Sequence, residues 1–81
     1  PKNGLLHYAL ASALERAGHL DSAIENFKQV VSNRQNYPHI QANAWFRLAR
    51  LTSDHQREKS LRNCLQLAPY HLEAKKLLAE T

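Results

Sequence analysis

The chain has 81 residues, a net charge of +4 and a hydrophobic fraction of 43%. This hydrophobic fraction excludes an intrinsically disordered chain, the single cysteine excludes an internal disulfide framework, and no apolar run reaches the roughly 20 residues that span a bilayer. Only two glycines and three prolines interrupt a sequence dominated by Leu, Ala, Glu, Gln, Lys and Arg, and this composition is typical of helices.

The first half of the chain predicts two helices. The apolar residues of the first recur at helical spacing and are Leu6, Leu10, Ala13, Leu14 and Ala17. Gly18 then ends this pattern, and Asp21 is predicted to cap the N-terminus of the second helix. The second helix has one apolar stripe, formed by Ala23, Ile24, Phe27, Val30 and Val31.

The second half predicts three more helices. Pro38 permits the start of a third helix that runs to about Thr52. Residues 53–56 (SDHQ) match a capping box for a fourth helix, whose apolar stripe is Leu61, Cys64, Leu65 and Ala68. Pro69 ends this helix and can open a fifth, whose apolar side is Ala74, Leu77 and Leu78. Short turns make successive helices antiparallel neighbours, and no segment has the period-two alternation of a strand.

A short pattern repeats along the chain. Residues 7–11 (HYALA) line up with residues 45–49 (WFRLA), and residues 75–79 (KKLLA) are a fainter copy. Gly4 and Leu72 hold equivalent places before the first and fifth helices, separated by twice a period of about 34 residues. The sequence therefore predicts two repeats and the start of a third.

At these residues the sequence resembles the tetratricopeptide repeat (TPR) family, over about residues 4 to 80. The strongest stretch is LASALERAGHLDSAIENFKQVV, in which the family's packing positions are filled by Leu10, Ala11, Gly18, Leu20, Ala23, Phe27 and Val30. In the second repeat the opening motif matches Trp45, Leu48 and Ala49, and the closing motif matches Leu61, Cys64 and Pro69. The resemblance implies stacked pairs of helices that bind other proteins.

Three departures from the family pattern carry expectations of their own. The first helix of the second repeat is displaced by about one helical turn, and we expect the turn after it to be shortened by the same amount. Arg57 replaces a small alanine, which predicts looser packing or a tilt of the second hairpin. Gln35 replaces a proline after the first repeat, so we expect the second helix to run an extra turn.

The predicted fold class is all-α, an α-solenoid of antiparallel helix pairs made of two TPR-like repeats and a capping helix. We expect one domain over residues 1–81, with repeat one at about 4–36, repeat two at about 38–69 and the capping helix at about 70–80. Because the chain begins at Pro1 and contains no methionine, we expect it to be a piece of a longer protein. The lone cysteine fits a reducing compartment, which predicts an intracellular, cytoplasmic location.

A helical wheel separates two faces of the third helix. Trp45 falls with Leu48 and Ala49 on the packing face, whereas Phe46 and Arg47 fall on the opposite side. The resemblance implies that this opposite side lines the concave groove of the superhelix, together with equivalent positions of the first and fifth helices. The candidate partner-binding residues are Tyr8, Ser12, Asn43, Phe46, Arg47, Arg50 and Lys76.

The predicted function is a protein–protein interaction scaffold that binds a peptide or partner helix in this groove. Tyr8 and Phe46 would be apolar anchors and the cations would contact an acidic partner; the other reading is an ordinary solvated helix face on which Phe46 packs against a neighbouring repeat. Two alternatives remain. One is self-association through the open end of the stack, giving a homo-oligomer. The other is nucleic-acid binding through Arg47, Arg50, Arg57, Lys59, Arg62, Lys75 and Lys76.

We predict no enzymatic activity, no cofactor and no metal site. Neighbouring Ser, Asp and His at residues 53–55 contain the residue types of a catalytic triad, but adjacent side chains point apart. Five histidines are spread along the chain without an i, i+4 pair. Cys64 lies on an apolar stripe and is predicted to be a small buried packing residue.

Overall fold

The computed structural model describes residues 4–33 and 37–80, and all of its regular structure is helical. The helices are α1 (Gly4–Ala17), α2 (Leu20–Ser32), α3 (Pro38–Leu51), α4 (Asp54–Leu67) and α5 (Leu72–Ala79). No strand occurs within these two ranges, so the all-α prediction is confirmed. None of the helices in the described part of the chain combines the length and the apolar character needed to cross a membrane.

The turn between α1 and α2 depends on Gly18. This residue has φ +90°, a conformation that side chains other than glycine rarely adopt. Its N–H donates to the carbonyl of Glu15 at 3.1 Å, and the N–H of His19 donates to the carbonyl of Leu14 at 2.9 Å, which is the pair of bonds that closes a helix with a left-handed glycine. The chain reverses so quickly that His19 is the N-cap of α2. The prediction that Asp21 is the N-cap was wrong, because it lies in the first turn.

The turn between α3 and α4 is stabilised differently. Ser53 occupies the N-cap of α4, but its side chain makes no cap hydrogen bond, so the predicted capping box does not form. The next residue, Asp54, has φ +55°. The guanidinium of Arg57 instead donates through Nε to the carbonyls of Ala49 at 3.1 Å and Thr52 at 3.2 Å. Arg57 thereby satisfies carbonyl groups that the end of α3 leaves without partners.

The structure contradicts two expectations about the second hairpin, the shortened turn and the looser packing. The turn is not shortened, because Thr52 and Ser53 separate α3 from α4 just as two residues separate α1 from α2. The displacement lies in α3 itself. Compared with α1 and its equivalent residue His7, α3 begins further before Trp45 and ends sooner after it. The looser packing expected from Arg57 is not observed either, because α3 and α4 contact each other as extensively as α1 and α2 do. The alternative expectation, a tilt of this hairpin, stays a prediction.

The remaining boundaries follow the local sequence. Pro38 is the first residue of α3, as predicted. The extra turn expected at the end of α2 does not form, because α2 ends at Ser32 and its C-cap, Asn33, has an extended backbone conformation. α5 begins at Leu72 and not at Pro69, and its N-cap is His71, whose Nδ1 accepts a hydrogen bond from the N–H of Ala74 at 3.1 Å.

Two hydrophobic clusters meet at α3. The first contains Ala11, Ala23, Phe27, Val30, Ile40, Ala44 and Leu48. The second contains Ala42, Ala49, Leu61, Cys64, Ala68 and Ala74. The half-buried Trp45 packs against both, which confirms its predicted place on the packing face. Fully burying a side chain such as Phe27 or Leu61 stabilises a fold by about 2 kcal/mol.

The apolar stripe predicted for α1 is largely exposed. Leu6 is 71% exposed and Leu10 is 50% exposed, whereas Ala11 is the buried residue of this helix and Leu14 is partly buried. The stripe was therefore wrong as a description of the core. α1 contacts α2 and, to a lesser extent, α3, and these contacts leave its outer face uncovered by the described residues.

Candidate functional site

The predicted partner-binding residues lie on α1, α3 and α5. The structure groups Tyr8 and Arg47 at the meeting of α1 and α3. It groups Phe46, Arg50 and Lys76 at the meeting of α3 and α5. Asn43 is exposed on α3 and belongs to neither grouping.

Arg47 is held by a carboxylate that the sequence analysis did not select. Its Nη2 lies 2.8 Å and its Nε 3.0 Å from Oε1 of Glu15. The Arg47 side chain is 22% exposed and the Glu15 side chain 14% exposed. Burial acts to lower the pKa of Arg47, but the hydrogen bond and negative charge of Glu15, with a smaller contribution from Tyr8, raise this pKa above its ordinary value. Most of the charge on Arg47 is therefore compensated within the chain.

Two aromatic rings complete the surroundings of Arg47. Its Nη1 donates to the hydroxyl of Tyr8 at 3.4 Å, and its Cζ lies 5.9 Å from the Tyr8 ring centroid and 5.5 Å from that of Phe27. These distances suit cation–π attraction. The Tyr8 and Phe27 rings themselves meet edge to face at 5.6 Å. Arg47 thus links α3 to both helices of the first hairpin.

Glu15 could have been found from its position in α1. It lies seven residues after Tyr8 and three after Ser12, so all three share one helical face. Its second oxygen lies 3.9 Å from Nη2 of Arg50, which places the carboxylate between two arginines. A carboxylate this little exposed needs such partners.

Ser12 contributes an unusual polar atom to this face. Its Oγ is buried and makes no hydrogen bond within the described residues. Leaving a buried hydroxyl without a partner costs about 1 to 3 kcal/mol. The atom lies on the same face of α1 as Tyr8 and Glu15.

An open groove of about 340 Å³ lies between α3 and α5, lined by Phe46, Arg50, Glu73, Lys76, Leu77 and Glu80. Phe46 is partly buried against the second hydrophobic cluster, and its ring lies 4.9 Å from that of His71. The expectation that Phe46 stands apart from the packing face was therefore wrong, because Phe46 packs against the second cluster and also lines the groove. Cζ of Arg50 lies 5.9 Å from the centroid of the Phe46 ring, and the Arg50 side chain is 51% exposed.

Several other predicted residues have structural partners. Arg57 caps α3, and Arg62 donates to Oε2 of Glu58 from Nη2 at 2.8 Å and Nε at 3.1 Å, which lowers the pKa of Glu58 through the hydrogen bond and then the charge. Together with Arg47, which is paired with Glu15, three of the seven bases considered for nucleic-acid binding therefore have hydrogen-bond partners within the chain.

Cys64 is completely buried, as predicted. Removal from water raises the pKa of its thiol to about 11, so the sulfur carries no charge at neutral pH. Among the described residues, no group of three or more His, Cys, Asp or Glu side chains is placed to hold a metal ion.

No family model matches this chain, and no curated protein or solved structure shows significant similarity to it. The case for a function therefore depends on the geometry described above.

Proposed function

We propose that this chain is a protein–protein interaction scaffold, an α-solenoid of two TPR-like repeats and a capping helix. Its binding surface is the face formed by α1, α3 and α5. The observation that carries the proposal is the groove beside Phe46, where an exposed arginine stands over an aromatic ring next to a second cation, Lys76. Aromatic and arginine side chains contribute much of the binding free energy at protein interfaces.

The geometry divides the roles of the cations. Arg47 is neutralised by Glu15 and positions α1 against α3, so it contributes little to the attraction of an anion. Arg50 is half exposed, and its contact with Oε2 of Glu15 is long, at 3.9 Å. Its guanidinium can therefore bind a second acceptor. Arg50 and Lys76 therefore provide the anion contacts, and Phe46 and Leu77 provide the apolar wall.

The charges of the groove also restrict the ligand. Glu73 and Glu80 line it together with the two cations, so a uniformly acidic peptide would meet repulsion on α5. A peptide with one acidic residue beside an apolar residue fits better. Its carboxylate would lie at Arg50 and its apolar side chain would contact Phe46.

A charge-reversal experiment tests this assignment. Labelled short peptides that place one Glu beside Leu or Phe are screened by fluorescence anisotropy, and the binders are then titrated against Arg50→Glu with Lys76→Glu. We expect about tenfold weaker binding, because two exposed charge contacts become repulsive. The matched control is Arg16→Glu with Lys75→Glu, which makes the same change in net charge at exposed positions outside the groove. Equal binding by both variants, with unchanged helical circular dichroism, would exclude this groove.

The exposed face of α1 favours a second candidate function, self-association. Leu5, Leu6 and Leu10 are all at least half exposed on this helix, and such apolar surface commonly marks an interface. We expect a weight-average mass that rises with concentration in sedimentation equilibrium and stays monomeric in Leu6→Gln with Leu10→Gln. A monomer at all concentrations would rule this candidate out.

A further inference from the structure

A second cleft lies on a different side of α3 from the groove beside Phe46. α2 and α4 both pack against α3, and the pair is not among the helices in extensive contact with each other. Two open depressions of about 350 and 430 Å³ lie between them, and Trp45 and Val31 line both. The cleft thus runs along α3, a helix of 14 residues and roughly 20 Å, with Trp45 on its floor.

The walls of this cleft are positively charged. Lys28 of α2 and Lys59 of α4 line the 350 Å³ depression from opposite sides, and both side chains are exposed. Neither depression has an Asp or Glu among the described residues that line it. The groove beside Phe46 differs in this respect, because two carboxylates balance its cations.

Two of the three hydroxyl groups that line the same depression, those of Ser32 and Thr52, have oxygen atoms that can still accept a hydrogen bond. The Oγ of Ser32 donates its proton to the carbonyl of Lys28 at 2.7 Å, and the Oγ1 of Thr52 donates to the carbonyl of Leu48 at 2.8 Å. Since each hydroxyl has one proton and that proton is engaged, its oxygen has lone pairs left to accept a hydrogen bond. The N–H groups of a peptide backbone can supply that bond, whereas the phosphate groups of a nucleic acid backbone can only accept hydrogen bonds.

We propose that this cleft is a second docking site, and that its ligand is an acidic peptide segment in extended form. Carboxylates of the segment lie at Lys28 and Lys59, an apolar side chain lies on Trp45, and backbone N–H groups donate to Ser32 and Thr52. About six extended residues span the length of α3. Trp45 therefore has a binding role in addition to the packing of its buried edge. The inference does not depend on the α1, α3 and α5 face.

Trp45 is the only tryptophan of the chain, so its fluorescence reports directly on the cleft. Tryptophan-free peptides that alternate Glu with Leu are titrated into the whole chain while Trp45 emission is followed. Matched peptides carry Gln in place of Glu, or Ala in place of Leu. We expect a saturable change with the Glu–Leu peptides that is lost with Gln and weakened with Ala.

Charge reversal locates the site. The double variant Lys28→Glu with Lys59→Glu should bind the peptide about tenfold more weakly. The control double variant Arg16→Glu with Lys75→Glu should bind it with unchanged affinity. Both lysines are exposed, so the variant should fold, and circular dichroism checks this. Arg50→Glu with Lys76→Glu should also leave the Trp45 signal unchanged, which separates failure of this cleft from failure of the groove beside Phe46.

Three results would overturn the proposal. The first is that no Glu–Leu peptide changes the emission of Trp45. The second is equal affinity in the Lys28 and Lys59 double variant. The third is a saturable change with single-stranded oligouridine that exceeds the change with every acidic peptide, which would assign the cleft to nucleic acid.

Discussion

The helices α1 and α3 carry the same short pattern but bury it differently. Ala11 and Ala49 are equivalent, and both are completely buried, whereas Leu10 is 50% exposed and its equivalent Leu48 only 3%. Each alanine belongs to a cluster with the helix that follows it in the same hairpin. Leu48 instead packs with Phe27 and Val30 of the preceding helix. Among the described residues α1 has no preceding helix, so Leu10 stays in water.

Replacing the residue that joins the two clusters should have the largest effect. Trp45→Ala removes a side chain that packs against both clusters, and we expect a loss of about 3 to 5 kcal/mol in the free energy of unfolding. Urea denaturation followed by circular dichroism measures it. A loss below about 1 kcal/mol would mean that the two hairpins do not depend on Trp45 for their connection.

The equivalent leucines provide the sharpest test of the comparison. Leu48→Ala should cost about 3 kcal/mol because it leaves a cavity between α2 and α3. Leu10→Ala should cost less than about 1 kcal/mol because its side chain is half exposed. Both variants are measured by urea denaturation at a concentration where the chain is monomeric. Equal costs would mean that Leu10 is buried within the monomer, contrary to its half-exposed position in the structure.

The two hairpin turns differ in what stabilises them, and Arg57 should be the more costly residue to lose. Arg57→Ala removes a charged donor to two carbonyls at the end of α3, and we expect a loss of about 2 kcal/mol. The comparison variant, Gly18→Ala, should cost about 1 kcal/mol. A Cβ at this position would meet no atom within 4 Å, so only the positive φ opposes it. Thermal melts of the two variants measure both losses in parallel. A smaller loss for Arg57→Ala than for Gly18→Ala would mean that Arg57 is an ordinary surface charge.

The smallest expected effect is a dependence of the free energy of unfolding on pH, caused by Cys64 in the second cluster. In the folded chain the pKa of Cys64 is raised from 9.0 to about 11, so above pH 9 the unfolded thiol loses its proton before the folded one does. Protons then bind more tightly to the folded state, and stability falls as the pH rises toward 11. Near pH 10 the loss should be about 1 kcal/mol. Cys64→Ala, measured by urea denaturation across the same pH range, should lack this part of the slope, and identical slopes would contradict the burial of the thiol.

Periodicity predicted the helices and much of the core, because a residue such as Phe27 or Leu61 is buried by the helix pair that its own pattern defines. It failed for Leu6 and Leu10, because their burial depends on a neighbour that the pattern does not specify. The turns were predicted less well, since side-chain hydrogen bonds there depend on the exact backbone path, as Ser53 shows.

Prediction of the candidate surface also failed where a contact depends on residues that are distant in the sequence. Tyr8 and Arg47 could be selected from their helical faces, but the ion pair with Glu15 joins residues 32 positions apart. Each of the two charges taken alone looks like an ordinary surface residue. The cleft at Trp45 was missed because one side chain serves both packing and an open surface.

Because the thiol of Cys64 is buried, its rate of chemical labelling can report how often the structure around it opens. α5 has only eight residues and contributes Ala74 to the cluster around the sulfur. A helix this short has little stability once detached. An alkylating reagent therefore reaches the thiol only during transient openings, and at saturating reagent concentration the labelling rate equals the frequency at which α5 or the whole chain opens.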